Sequence, residues 1–336
     1  MKEREPLLSV KDLAIHYFTD DGVVYAVNGV SFELAKGETM GLVGETGAGK
    51  TTTALGLMQL VPDPPGKIVS GDVTFNGQEL LTLSKSEKRQ YRGRDLSMIF
   101  QDPMTALNPV ITVGEQIAEV IRIHEKVGKE EAEKKAADML ETVGIPAERM
   151  YDFPHQFSGG MKQRVVIAIA LACNPHLLIA DEPTTALDVT IQAQVLHLMA
   201  ELQKQYHMAM LLITHDLGVV AQVCDKVAIM YAGKIVESGS LEEIYENTKH
   251  PYTEGLFDSL PSLSGKVHRL KPIPGLMPDP TDLPEGCAFA PRCSRCTDLC
   301  RMREPAETEV APGHKVRCIL YEVMEGGTGG DHGSSD

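Results

Sequence analysis

Gly44-Glu45-Thr46-Gly47-Ala48-Gly49-Lys50-Thr51 follows the short apolar run Met40 to Val43 and precedes the stretch Thr52 to Leu60. The octet fits G-x-x-x-x-G-K-[ST]. Its glycines let the backbone curl until consecutive amides point inward at phosphate oxygens. Lys50 is placed to reach β- and γ-phosphates and Thr51 to ligate Mg²⁺, while the helix that begins there adds its positive end. A glycine turn that merely caps a helix is the plainer reading. Strand before and helix after, however, are the context a phosphate loop demands. The segment Gly44 to Thr52 is therefore expected to cradle a nucleotide.

Working outward, Leu177-Leu178-Ile179-Ala180 reads as a buried strand that ends on Asp181 and Glu182. Such a strand delivers two carboxylates to the sheet edge where the glycine loop opens. Asp181 suits Mg²⁺, and Glu182 suits orienting or deprotonating an attacking water. Alone, the pair reads as an acidic helix N-terminus. Joined to the loop, it implies Mg-ATP or Mg-GTP. Leu96 to Phe100 and Met208 to Ile213 are further compact runs suited to buried strands. Leu13 to Tyr17 and Val30 to Leu34 alternate, as half-exposed antiparallel strands do. Ala132, Ala136, Leu140 and Val143 recur at helical spacing with Gly144 as C-cap, so residues from about 106 to 160 form a mostly helical insert. The class is α/β.

The chain has 336 residues, 43% hydrophobic and 24% charged, which excludes wholesale disorder. Acidic residues number 47 against 32 basic ones, a net charge of −15 that argues against nonspecific binding to nucleic acid or anionic lipid. No apolar run approaches the roughly 18 residues of a membrane span. Met1 to Val10 mixes Lys2 and Arg4 with Glu3 and Glu5, unlike a signal peptide. Five of the seven cysteines lie between Cys287 and Cys318, and half of the 20 prolines lie from Pro251 onward. A regular body is therefore expected over 1–245. A loop-rich appendage over 246–325 follows, where prolines 272, 274, 278, 280 and 284 remove amide donors. The Gly/Ser/Asp-rich stretch 326–336 is expected to be a disordered tail.

Phe157-Ser158-Gly159-Gly160-Met161-Lys162-Gln163-Arg164, shortly before the acidic strand, resembles the signature loop of ATP-binding cassette (ABC) proteins. Gln101 after its strand resembles the family's Q-loop glutamine, Ala186-Leu187-Asp188 its D-loop, and His215 after Leu211-Leu212-Ile213-Thr214 its switch histidine. The resemblance spans about 8 to 245 and implies a P-loop cassette fold: a mixed sheet, an antiparallel β subdomain and a helical subdomain. It implies that Gln101 senses Mg²⁺ and the lytic water, and that His215 contacts the γ-phosphate. Tyr17 sits where the family stacks an aromatic on adenine, with Phe18 as its neighbouring rival. Ser158, Gly159 and Gly160 open an apparent helix, so their amides can meet an anion. Read alone, they are an N-cap. The resemblance adds that this loop and Asp188 face nucleotide held by a second cassette, two ATPs being sandwiched between two cassettes. With Glu182, Lys50, Gln101, Ser158 and His215 all present, a hydrolytically competent site is expected.

His250-Pro251-Tyr252-Thr253, Ile273-Pro274-Gly275 and Cys287-x₅-Cys293-x₂-Cys296-x₃-Cys300-x₁₇-Cys318 resemble the C-terminal region of ATPase subunits from dipeptide, oligopeptide and nickel importers, most like their "D" member. That resemblance implies a related second ATPase, two transmembrane permeases, an extracytoplasmic binding protein, and a place on the cytoplasmic face of the membrane. For the thiols, three readings stay open. Zinc takes four thiolates, but Cys293-x₂-Cys296 has no second C-x₂-C. An iron–sulfur cluster also takes four, with looser spacings. The third is no metal. Cys287, Cys293, Cys300 and Cys318 match the family's pattern, for which a [4Fe–4S] cluster is implied in some members, and an exchange of Cys293 for Cys296 stays open. Cys173 and Cys224 read as core. Three functions follow: a peptide-importer ATPase, the same ATPase serving nickel or another solute, and a soluble cassette in DNA repair or translation. The last predicts a long coiled coil or two cassettes in one chain, and the sequence has neither.

Overall fold

The computed structural model describes residues 6–185, 187–259 and 272–322. The expected tail, 326–336, and Ala186 of the D-loop-like segment lie outside them. In chain order the strands are β1 (Leu8–Thr19), β2 (Gly22–Leu34), β3 (Thr39–Val43), β4 (Gly66–Phe75), β5 (Gln78–Glu79), β6 (Leu96–Ile99), β7 (Leu177–Asp181), β8 (Ala209–Thr214), β9 (Lys226–Tyr231), β10 (Lys234–Ser240), β11 (Glu307–Ala311) and β12 (His314–Arg317). They form two sheets. One is antiparallel, ordered β2-β1-β4-β5; the other runs β11-β12-β10-β9-β3-β8-β7-β6.

In the larger sheet β6, β7, β8, β3 and β9 are mutually parallel. β3, β7 and β8 are buried along their whole length, which is why they read as unbroken apolar runs. Their side chains serve two cores by alternation. Leu177 and Ile179 belong to a core shared with Ile15, Val27 and Phe75 of the antiparallel sheet and with Ala54 and Leu57 of the helix Lys50–Leu57. Leu178 and Ala180 face the helices Gly159–Leu171 and Val189–Tyr206. Burying one such side chain stabilises the fold by about 1.5–3 kcal/mol.

The helical insert contains the helices Val113–Glu125 and Lys129–Thr142. Ala132, Ala136, Leu140 and Val143 are all inaccessible, and Gly144 ends the second helix at φ +75°. A Cβ in that left-handed region is strained, so glycine belongs there.

Beyond the helix Pro251–Asp258, the chain is again described from Pro272. It runs without regular structure to the short turn Ala290–Arg292 and the helix Asp298–Met302. It then closes with the β11–β12 hairpin, which the sequence reading did not anticipate. β12 pairs antiparallel with β10, extending the main sheet. His314, fully buried, fixes that join: its Nε2 lies 2.8 Å from Glu237 and its Nδ1 3.2 Å from Glu243. Glu237 also accepts the amides of Lys249 and His250, so its buried carboxylate is well satisfied.

Candidate active site

Parallel strands end on the same sheet edge, and here that edge collects the motif residues. After β3 the loop 44–49 turns the chain into the helix Lys50–Leu57. Gly49 takes φ +103°, and a Cβ there would stand 2.3 Å from the Ala26 carbonyl oxygen, so only glycine closes the turn. Lys50 is buried, its Nζ donating to the carbonyls of Gly44 at 2.8 Å and Glu45 at 3.1 Å. Burial pushes its pKa down, against the opposing pull of Glu182, Asp181 and Glu45.

Asp181, the last residue of β7, is buried, and that burial pushes its pKa up despite a hydrogen bond from Thr51 and the nearby Lys50. Its Oδ1 is enclosed without a hydrogen-bond partner. An orphaned carboxylate oxygen beside a threonine hydroxyl is the donor chemistry a hard divalent cation takes.

Glu182 adopts φ +45°, a conformation that points to functional constraint. Three groups converge on its carboxylate. Gln101 Nε2 donates at 3.1 Å and Thr185 Oγ1 at 2.9 Å, while His215 Nδ1 stands 3.2 Å away. Burial works against the charge of Glu182, but the Thr185 and His215 hydrogen bonds with the charges of His215 and Lys50 prevail and hold its pKa below the usual range. Thr185 carried no signal in the sequence, being the third residue after a motif acid with a role that only the turn reveals.

Lys50, Gln101, Glu182 and His215 line one cavity of about 410 Å³, together with Tyr17, Val24, Ala26, Thr46, Gly47, Gly49, Thr51, Thr52 and, from far along the chain, Pro280; Asp181 and Thr185 stand behind its wall. Tyr17 lines it and Phe18 does not. Ala48 is buried beneath the loop, and the Glu45 side chain is turned away from the cavity toward Arg292. Ser158, Gly159, Gly160 and Asp188 do not line it. Ser158 caps its helix, its Oγ accepting the Met161 amide at 3.4 Å, and Ser158, Gly159 and Asp188 are exposed. Leu187 and Ile191 lie beside the two glycines, so the signature and D-loop segments form one outward surface.

Residues 27–185 match the family model "ABC transporter", and residues 236–300 match "Oligopeptide/dipeptide transporter, C-terminal region". The oligopeptide transport ATP-binding protein OppD of Bacillus subtilis is 54% identical over 317 residues, 94% of this chain and 88% of that protein. The dipeptide transport ATP-binding protein DppD of the same organism is 50% identical over 95% of this chain and 96% of its own length. The chain belongs to the ABC transporter ATP-binding subunits of the oligopeptide/dipeptide family. Among solved structures, the dimeric ATP-binding cassette MJ0796 bound to ADP and Pi superposes with a TM-score of 0.63 at 25% identity, covering 70% of this chain and 98% of that one. This cassette is accordingly an ATPase. Among the described residues no helix is long and apolar enough to cross a membrane.

In the C-terminal region of the cassette, Cys287, Cys293, Cys300 and Cys318 line one small cavity with His250 and Phe289. Cys296 does not line it; its Sγ lies 3.4 Å from the Thr297 carbonyl. Burial raises the pKa of Cys287 and Cys293, and that of Cys318 to about 11. Among the described residues no three His, Cys, Asp or Glu stand close enough to share a metal ion. The four thiols expected to hold a [4Fe–4S] cluster thus border one space, but they do not form a ligand set. Cys224 is core, as expected, its thiol pushed up to about 12 by burial; Cys173 is half-buried against the Val120 carbonyl.

Proposed function

We propose that this cassette powers the import of di- and oligopeptides from the cytoplasmic face of the cell membrane. In this reading it pairs with a related second ATPase beneath two transmembrane permeases fed by an extracytoplasmic binding protein. The substrate class is supported by the likeness to oligopeptide and dipeptide transport ATP-binding proteins over 94–95% of the chain, and the pairing by the convergence of Gln101, Thr185 and His215 on Glu182 in a cavity that the cassette's own Ser158 turn does not reach. A site built this way lacks one wall.

Lys50 and the loop amides bind the β- and γ-phosphates, and Tyr17 stacks on the base. Thr51, Asp181 and Gln101 are the residues that would hold Mg²⁺, which neutralises phosphate charge when bound. Glu182 orients the attacking water and accepts its proton, and its depressed pKa keeps it ionised for that task. His215 steadies Glu182 and reaches the γ-phosphate. Ser158, Gly159, Gly160 and Asp188 serve the nucleotide of the opposite cassette. Their exposure supports that role, as does the anion-binding character of a helix N-terminus. ATP then favours the closed pair, and hydrolysis lets it reopen.

The same proposal assigns Cys287, Cys293, Cys300 and Cys318 to a structural [4Fe–4S] cluster. A single zinc ion draws every sulfur to about 2.3 Å. Thiols spread around one cavity suit a cluster better, because each binds its own iron. Four such bonds would staple a segment with little core of its own. Iron and sulfide analysis of anaerobically purified protein tests the assignment; a colourless, iron-free sample overturns it. Uptake of labelled dipeptides against Ni²⁺ by the reconstituted complex tests the cargo, and Ni²⁺ uptake without peptide uptake refutes it.

A further inference from the structure

The phosphate loop has a second set of neighbours, from residues more than two hundred positions later in the chain. Arg292, its side chain 5% exposed, forks onto the Glu45 carboxylate, with its two terminal nitrogens 2.9 and 3.1 Å from the two oxygens. The Nε of the same guanidinium donates to the Pro274 carbonyl at 2.9 Å. The hydroxyl of the fully buried Tyr252 accepts the Glu45 amide at 3.0 Å. Met277 lies directly behind Gly47, where an added Cβ would meet its methyl at 2.9 Å. Three residues on, the Pro280 carbonyl accepts the Tyr25 amide at 2.9 Å, and Pro280 itself lines the nucleotide cavity near Tyr17 and Val24.

The segment from Pro274 to Pro280 is thus held near both ends and touches both the loop, through Met277, and β2, through Pro280. We infer that residues 272–280, tied down by Arg292, are a strap that completes the nucleotide site in cis. Arg292 and Met277 act as positioning residues for the phosphate loop, and Pro280 forms part of the wall beside base and ribose. The physical logic is preorganisation. A glycine-rich loop loses much conformational freedom when it closes on phosphates, and contacts that hold it beforehand lower that cost. A bidentate, largely buried arginine–carboxylate pair is the strongest such tether the side chains offer. This inference rests on the cavity being the ATP site.

The test uses the full chain, titrated with Mg-ATP and separately with Mg-tripolyphosphate, which lacks base and ribose. Lys50→Ala serves as the reference for a lost phosphate site. Met277→Ala should weaken both ligands alike, by about fivefold to tenfold. Pro280→Gly should weaken ATP by a similar factor and leave tripolyphosphate unchanged. In the assembled complex, Arg292→Lys should raise KM for ATP more than it lowers kcat, since it loosens the loop without removing a reacting group. If Arg292→Lys fails to fold, the two strap variants carry the test. Parental ATP affinity in both strap variants, with binding lost in Lys50→Ala, overturns the strap alone. Parental affinity in Lys50→Ala overturns the nucleotide site itself.

Discussion

Strands β3, β7 and β8 carry their functional residues at their ends, whereas the segment from Pro272 to Arg292 reaches the same loop through single side chains. In the sheet, position is inherited: ladder hydrogen bonds and two flanking cores fix where Lys50, Asp181 and Glu182 stand. In the C-terminal region, position depends on one ion pair, one buried tyrosine, one methionine and a set of thiols. The contrast teaches that chemistry and its adjustment are separable here. Reacting groups stand on the rigid elements, and the groups that shape the binding loop stand on an irregular one.

The sharpest way to break this division is at the catalytic pole. Glu182→Gln should retain ATP binding and lower turnover in the assembled complex by about 10²–10⁴-fold, the range for loss of a general base. Parental turnover would remove Glu182 from the chemistry. Next in size, Leu178→Ala, in the buried middle of β7, should cost about 2–5 kcal/mol and lower the unfolding midpoint of the whole body. A midpoint that does not move would mean the sheet is not the rigid partner.

The C-terminal region should show itself through pH. Burial holds the pKa of His250 down to about 3, far below its value in an unfolded chain. The unfolded state therefore binds the extra proton as pH falls below about 6.5, and stability drops toward pH 3. Between pH 6.5 and 5 the loss should reach about 2 kcal/mol. His250→Asn keeps an acceptor for the Tyr252 amide, 3.0 Å away in the parent, and should flatten that decline in denaturant titrations. An unchanged slope would count against it. The smallest effect belongs to the rim. Tyr17→Ala should weaken ATP binding by about 1 kcal/mol while Phe18→Ala leaves it alone; the reverse ranking would reassign the stacking aromatic.

How much of this was legible follows from what each residue needs. β3, β7 and β8 were readable because strands buried on both faces must be apolar throughout. The helix Lys129–Thr142 was readable because Ala132, Ala136 and Leu140 repeat at its period. Loop, acids, glutamine and histidine were readable because each sits at or just past the end of its strand, so local order carries the chemistry. Arg292 was not, because its partner Glu45 lies 247 residues away and no local pattern marks either end. Glu45 itself read as one of the loop's interchangeable positions. The β11–β12 hairpin escaped because its strands are short and charged, with only half-buried or exposed positions in β11. Among the cysteines, spacing left Cys293 and Cys296 interchangeable; only the fold turns the first toward the common space and the second away.

That hairpin has a consequence for solubility. Had the chain stopped after Ser240, β10 would be the outermost strand on its side of a sheet reduced to six strands, with its amides and carbonyls open to any passing strand. β12 pairs with that edge at Glu237 and Ser238, and β11 then presents Glu307 and Glu309 outward, with Lys315 and Arg317 ion-paired to Glu307. Charged, short border strands resist edge-to-edge aggregation. A shortened protein lacking this border would therefore betray itself first by precipitating.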